Sequence, residues 1–156
     1  MQKKKVYAYF DGSNFYHNSK KAYGAFNVDF YNLANKILIS DEEELMKIRY
    51  FNSPINQEDN PGGYSRQQKF FEKLRATPLL DLSLGKLVKR KLSRINLDCR
   101  KCGRQKAESF NCPSCRNNVS LNNSFKIVEK GIDIKIGLSL LLDALAKKYD
   151  VALLFS

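Results

Sequence analysis

Two short runs constrain this chain more than anything else in it. Val6-Tyr7-Ala8-Tyr9-Phe10 and Val151-Ala152-Leu153-Leu154-Phe155 are continuous apolar, β-favouring stretches near opposite ends of the 156 residues. A strand that is apolar on both faces must be covered on both, as in a parallel sheet flanked by helices. The first run stops at Asp11-Gly12-Ser13-Asn14, which reads as a polar turn and leaves Asp11 at the carboxyl end of a strand.

Between these runs the pattern alternates. Asp29 is placed to cap a helix in which Phe30, Leu33, Ala34, Ile37 and Leu38 recur at helical spacing, ending near Asp41-Glu42-Glu43-Glu44. Lys47 to Phe51 reads as a second strand. Asn52 to Tyr64, with Pro54, Pro61, Gly62 and Gly63, reads as a loop, and Ser65 to Arg75 as a short helix burying Phe70, Phe71 and Leu74. Leu82 to Val88 is expected to be a third strand. Within Lys130 to Lys148, Ile132, Ile136, Leu140 and Ala144 mark a helical face that Leu141 and Leu145 widen. Repeated strand–helix–strand units predict an α/β fold with a doubly wound parallel sheet. Sites in such folds lie beyond the carboxyl ends of strands where strand order reverses, which directs attention to Asp11 and to the end of the Val151–Phe155 run.

With 43% hydrophobic and 28% charged residues the chain suits one compact domain, and disordered or collagen-like classes are excluded. No apolar run approaches the roughly 18 residues of a membrane span. Met1-Gln2-Lys3-Lys4-Lys5 leads only into a short apolar stretch that soon meets Asp11, so a cytoplasmic protein without membrane partners is expected.

The formal charge is +11, and its location matters more than its size. Lys86 to Arg116 holds ten basic residues (Lys86, Lys89, Arg90, Lys91, Arg94, Arg100, Lys101, Arg104, Lys106 and Arg116) against Asp98 and Glu108. Such a block favours a polyanion through phosphate contacts and counterion release, with no base preference implied; a solvated lysine-rich surface is the alternative. All four cysteines lie inside it, as Cys99-Arg-Lys-Cys102 and Cys112-Pro-Ser-Cys115 with nine residues between the pairs. Two thiolates from each tight turn can converge on one ion, so Cys99, Cys102, Cys112 and Cys115 predict a closed structural Zn²⁺ site with no open catalytic position. A disulfide framework is the alternative, without a secretion signal to favour it. Phe110 is expected to pack against the metal core, with base stacking as its other use.

The run Phe10-Asp11-Gly12-Ser13-Asn14-Phe15, together with Glu129-Lys130-Gly131-Ile132-Asp133-Ile134 and the closing Tyr149 to Ser156, resembles the NYN family of PIN-like nucleases in its LabA-like branch. The resemblance covers almost the whole chain except the cysteine segment. It implies a PIN-like, Rossmann-like three-layer domain in two parts, 1–96 and 119–156, interrupted by a zinc-ribbon insertion at 97–118. It further implies cleavage of RNA with Mg²⁺ or Mn²⁺: Asp11 as one metal ligand, Asp133 as a second, Asn14 holding the Asp11 turn, and Lys130 as a positive charge near the scissile phosphate. In that family an SGDSD-type acidic motif follows the later strand. The chain ends at the matching Ser156, and Ser139 stands where another Asp is common, so a C-terminally incomplete domain that binds metal weakly is expected.

The chemistry explains the residue types. Hard divalent cations take oxygen ligands, a few carboxylates completed by water and phosphate oxygens, and stabilise charge developing on phosphorus. Bland roles exist for each: Asp-Gly is a common turn pair, Asp133 suits the positive end of a helix, and Asn14 is an ordinary turn residue. Asp143, about 280° around an ideal helix from Asp133, is expected at the surface or behind the site. His17 carries no mark of a ligand or general base. Three functions follow: a metal-dependent ribonuclease whose basic zinc module, through Lys89, Arg90, Lys91, Arg94, Arg100, Lys101, Arg104 and Lys106, holds RNA; a noncatalytic RNA-binding protein; and a module that docks a protein partner or a second copy through the zinc ribbon.

Overall fold

The computed structural model describes residues 2–24, 27–39, 41–92, 95–99, 103–120 and 124–156, with the backbone alone at 92, 95–99, 103–107 and 124. The chain forms two compact units, Met1–Leu87 with Glu129–Ser156, and Val88–Val128.

In the first unit, strands β1 (Lys4–Asp11), β2 (Glu43–Asn52), β3 (Leu80–Leu84) and β10 (Val151–Phe155) build a four-stranded sheet in the order β10-β1-β2-β3. Every pairing in it is parallel. The chain runs outward from β1 to β3 and returns to the far side of β1, so strand order reverses between β1 and β10. The sheet is flanked by helices α1 (Gly12–Tyr23), α2 (Phe30–Ile37), α3 (Pro61–Ala76) and α4 (Ile132–Leu145).

Register sorts the sheet residues into two faces, because side chains alternate along a strand. Ala8 and Phe10 stand level with Ile48 and Tyr50 on one side and with Leu153 and Phe155 on the other. These pack against Phe15 of α1, Phe30 and Ala34 of α2, and Phe71 and Leu74 of α3. On the opposite face Tyr9 and Phe51 meet Ile132 and Ile136 of α4, joined by Tyr7, Leu140 and Tyr149. Leu154 is level with Tyr9 on that face but is exposed, as are Leu138, Leu141, Leu142 and Leu145 of α4.

Local chemistry sets most element ends. Asp29 caps α2 by accepting from Asn32 N at 2.9 Å. Asn60 accepts from Gly63 N at 2.8 Å, so α3 begins at Pro61 rather than at Ser65; Gly62 and Gly63 read as loop residues but fall in a capped first turn. The largest departure is α1. Asp11-Gly12-Ser13-Asn14 is no free turn: the helix starts at Gly12 directly from the strand. Its periodicity is faint because only Phe15 of this helix joins the apolar cluster while most of its length is exposed. Gly12 is required there, since an added Cβ would stand 2.4 Å from the Tyr50 ring. The expected third strand is two: β3 and β4 (Lys86–Leu92) part at Gly85.

The second unit is built of short strands. β4 pairs with β9 (Ser124–Lys130), and these strands carry the chain out of the first unit and back. β5 (Ile95–Cys99) and β6 (Gly103–Ala107) form one antiparallel hairpin, β7 (Ser109–Asn111) and β8 (Asn118–Ser120) another. Cys112 and Cys115 fall in the turn between β7 and β8, and Cys99 is the last residue of β5. No helix is long and apolar enough to cross a membrane among the described residues.

Candidate functional site

Asp11 is the last residue of β1 and the N-cap of α1, and it is 5% exposed. Its Oδ1 accepts from Asn14 N at 3.0 Å and its Oδ2 from Asn14 Nδ2 at 2.9 Å. The same Nδ2 donates to Ser156 Oγ at 3.2 Å. Parallel pairing of Phe10 with Phe155 brings the ends of β1 and β10 level, which is why residues 142 positions apart meet. Asp11, Asn14 and Ser156 thus gather at the carboxyl edge where strand order reverses.

Asp11 has amide donors but no basic partner: among the described residues no Lys or Arg forms an ion pair with it. A carboxylate oxygen can accept two bonds, and here each receives one, so acceptor capacity remains for a cation. A buried carboxylate without a counter-charge is costly, which makes the edge receptive to one.

Lys130 ends β9, and Gly131, at φ +80°, turns the chain into α4 with Asp133 exposed in the first helical turn. That start lies over the carboxyl ends of β2 and β3. A Cβ on Gly85 would stand 2.6 Å from both Ile132 Cδ1 and Ser53 Oγ, and Lys135 Nζ donates to the Leu84 carbonyl at 2.5 Å. Asp133 therefore shares the sheet edge of Asp11, yet neither it nor Lys130 hydrogen-bonds or ion-pairs with Asp11, Asn14 or Ser156. Among the described residues no three His, Cys, Asp or Glu group together in a way that could hold a metal.

Asp143 is not at the surface. It is 2% exposed and is surrounded: Tyr9 donates from its hydroxyl at 3.0 Å, Arg49 Nη2 at 2.9 Å and Lys148 Nζ at 3.0 Å, while Arg49 Nε stands 2.6 Å from Oδ2. Burial pushes its carboxyl upward, but the bonds from Lys148, Tyr9 and Arg49 outweigh that and hold it below the usual carboxylate range. Burial, and then the bond to Asp143, raise the Tyr9 hydroxyl well above the usual phenol range. This network clamps α4 to the sheet. Arg49, set in an otherwise apolar part of a parallel strand, is the sequence signal that could have pointed to it; its partner 94 residues away gives no local sign.

In the second unit, Cys112 Sγ receives backbone N–H groups of Cys115 and Ser114, which lower its thiol pKa and favour the thiolate. The turn closes through Cys112 N to Asn117 O and Arg116 N to Cys112 O, both 2.8 Å. Cys112 and Cys115 are free thiols. Cys99 ends β5 with only its backbone described, and Cys102 lies outside the described residues, as do Arg94, Arg100 and Lys101. Lys89, Arg90 and Lys91 are exposed on β4, whereas Arg104 and Lys106 are described by backbone position in β6. Phe110, expected to be packed, is 39% exposed.

The fold and its edge define an α/β protein with a four-stranded parallel sheet flanked by helices and a polar cluster at the strand-order reversal. No protein-family model, curated protein or solved structure matches the chain.

Proposed function

We propose that this chain is a metal-dependent endoribonuclease of the NYN, PIN-like type, with a zinc-ribbon insertion that presents basic residues to RNA. The observation that carries the reading is the buried Asp11 carboxylate, held by Asn14 at the carboxyl edge with no cationic partner among the described residues. Its oxygen donors suit Mg²⁺ or Mn²⁺, which are held by one or two protein carboxylates plus water and substrate phosphate oxygens. Asp11 would be the principal protein ligand, with Asp133 contributing from the start of α4. Such an ion supplies a polarised phosphoryl group and an activated water when bound. Asn14 fixes both oxygens of Asp11 so that the carboxylate keeps one orientation, and Lys130 places a positive charge where the RNA backbone would pass.

For zinc, the fit rests on Cys112: backbone N–H groups aimed at its sulfur favour the thiolate that a closed tetrahedral site requires. Cys112 and Cys115 would hold the ion with Cys99 and Cys102, and the metal would fix the two hairpin turns while their basic residues face a polyanion.

A second reading is favoured by one observation, the run of exposed cations Lys89, Arg90 and Lys91 on β4: a noncatalytic RNA-binding protein on the same fold. Incubation of labelled single-stranded RNA with Mn²⁺ separates the two. The nuclease reading expects cleavage that Asp11→Asn reduces by about 100-fold or more. Salt-sensitive RNA binding with background cleavage, unchanged by Asp11→Asn, would establish the binding protein instead.

A further inference from the structure

Helix α1 starts at the Asp11 cluster and leads away from it, and its exposed side carries a distinct chemistry. Asn14, His17, Asn18 and Lys21 recur at the three- and four-residue spacing that places side chains on one face, and all four are exposed. Asn14 joins this ridge to the cluster, since its side chain holds Asp11 and Ser156. The helix has Lys20 and Lys21 in its last turn and no acidic residue along its length. Its aromatic groups are set beside the charge: the Tyr16 and His17 rings lie 5.3 Å apart, edge to face, and Lys20 Nζ sits 5.7 Å from the centre of the Tyr16 ring.

Cations beside an exposed ring, here His17 with the half-buried Tyr16 next to it, suit a single strand, whose phosphates meet the cations while its splayed bases stack. A duplex offers no free base faces to such rings. Twelve residues of helix span about 18 Å, the reach of roughly three extended nucleotides. We infer that the exposed ridge of α1, with Lys20 along its flank, is the track on which single-stranded RNA lies as it leaves the Asp11 cluster, with His17 as a stacking platform and Lys20 and Lys21 on phosphates. The inference rests on the reading of that cluster as facing RNA, and it adds a binding surface outside the basic second unit.

The test is fluorescence anisotropy of the full chain with a labelled 12-nucleotide oligouridine, over a salt series, without added divalent ion. His17→Ala is expected to weaken binding about fivefold or more, the lower end of what one base stack contributes. Lys20→Gln with Lys21→Gln is expected to flatten the slope of log affinity against log salt by about 1.4, the loss of two single-strand phosphate contacts. All three positions are exposed, and an unchanged circular dichroism spectrum verifies the fold. Affinity within twofold of the unaltered protein in both variants overturns the α1 track. In that case Lys89→Gln with Arg90→Gln and Lys91→Gln, or Mn²⁺-dependent cleavage, still reports independently on the RNA reading. No RNA binding by the unaltered chain overturns both.

Discussion

Two buried aspartates, Asp143 and Asp11, separate the structural part of this molecule from its candidate working edge. Both are almost inaccessible, at 2% and 5% exposure. Asp143 lies between α4 and the sheet, held by two cations and a tyrosine hydroxyl. Asp11 lies at the strand ends, held by amide donors of Asn14 alone. Removing a partner from a buried charge is destabilising, and a buried carboxylate in a strand-end cleft without a counter-ion is a candidate for function. Asp143 holds α4, the helix whose first turn carries Asp133 on the same sheet edge as Asp11.

Asp143→Asn is expected to have the largest effect, a loss of about 3 kcal/mol in urea denaturation, because it leaves the largely buried Arg49 guanidinium beside a neutral group. A loss below 1 kcal/mol would put Asp143 in the same category as Asp11. The pH dependence sharpens this. The folded-state pKa of Asp143 is depressed, so its contribution is fully present above the ordinary carboxylate pKa of about 4 and is lost as pH falls through the lower folded value. The stability gap between the unaltered protein and Asp143→Asn should therefore narrow on acidification below about pH 4, measured by denaturation at several pH values.

A smaller effect is expected from Mn²⁺. At tenfold its dissociation constant the ion should add about 1.4 kcal/mol to the unaltered protein and nothing to Asp11→Asn, read as a shift in thermal midpoint. Equal shifts in both would place the ion elsewhere. Smallest is the effect of Asp11→Asn without metal, within about 0.5 kcal/mol, because Asn caps a helix as well as Asp and no cation is left stranded. A loss comparable to that at Asp143 would erase the distinction and make Asp11 structural.

Much of the first unit was legible because its signals are local. Val6 to Phe10 and Val151 to Phe155 are strands, and Asp29 is a cap, on features contained within a few residues. Helix α1 leaves no local signal because Phe15, its one residue in the apolar cluster, makes no periodic stripe, and the start of α3 leaves none because glycine propensity yields to the Asn60 cap. Gly85, where β3 gives way to β4, carries too little side-chain pattern to announce a break. At the candidate site, Asp11 and Asn14 were visible as a motif, but the hydrogen bond to Ser156 required the register of two strands from opposite ends of the chain.

The sequence by itself determined the parallel strands, the strand end at Asp11, the helix start beside Asp133 and the basic cysteine segment, because alternation, capping and spacing act over a few residues. Only the tertiary structure decided that Asp143 is buried and Asp11 lacks a cationic partner. Burial and charge pairing depend on which distant side chains the sheet order brings together: Arg49 reaches Asp143 across the face that α4 covers, while no described Lys or Arg pairs with Asp11 at the strand ends.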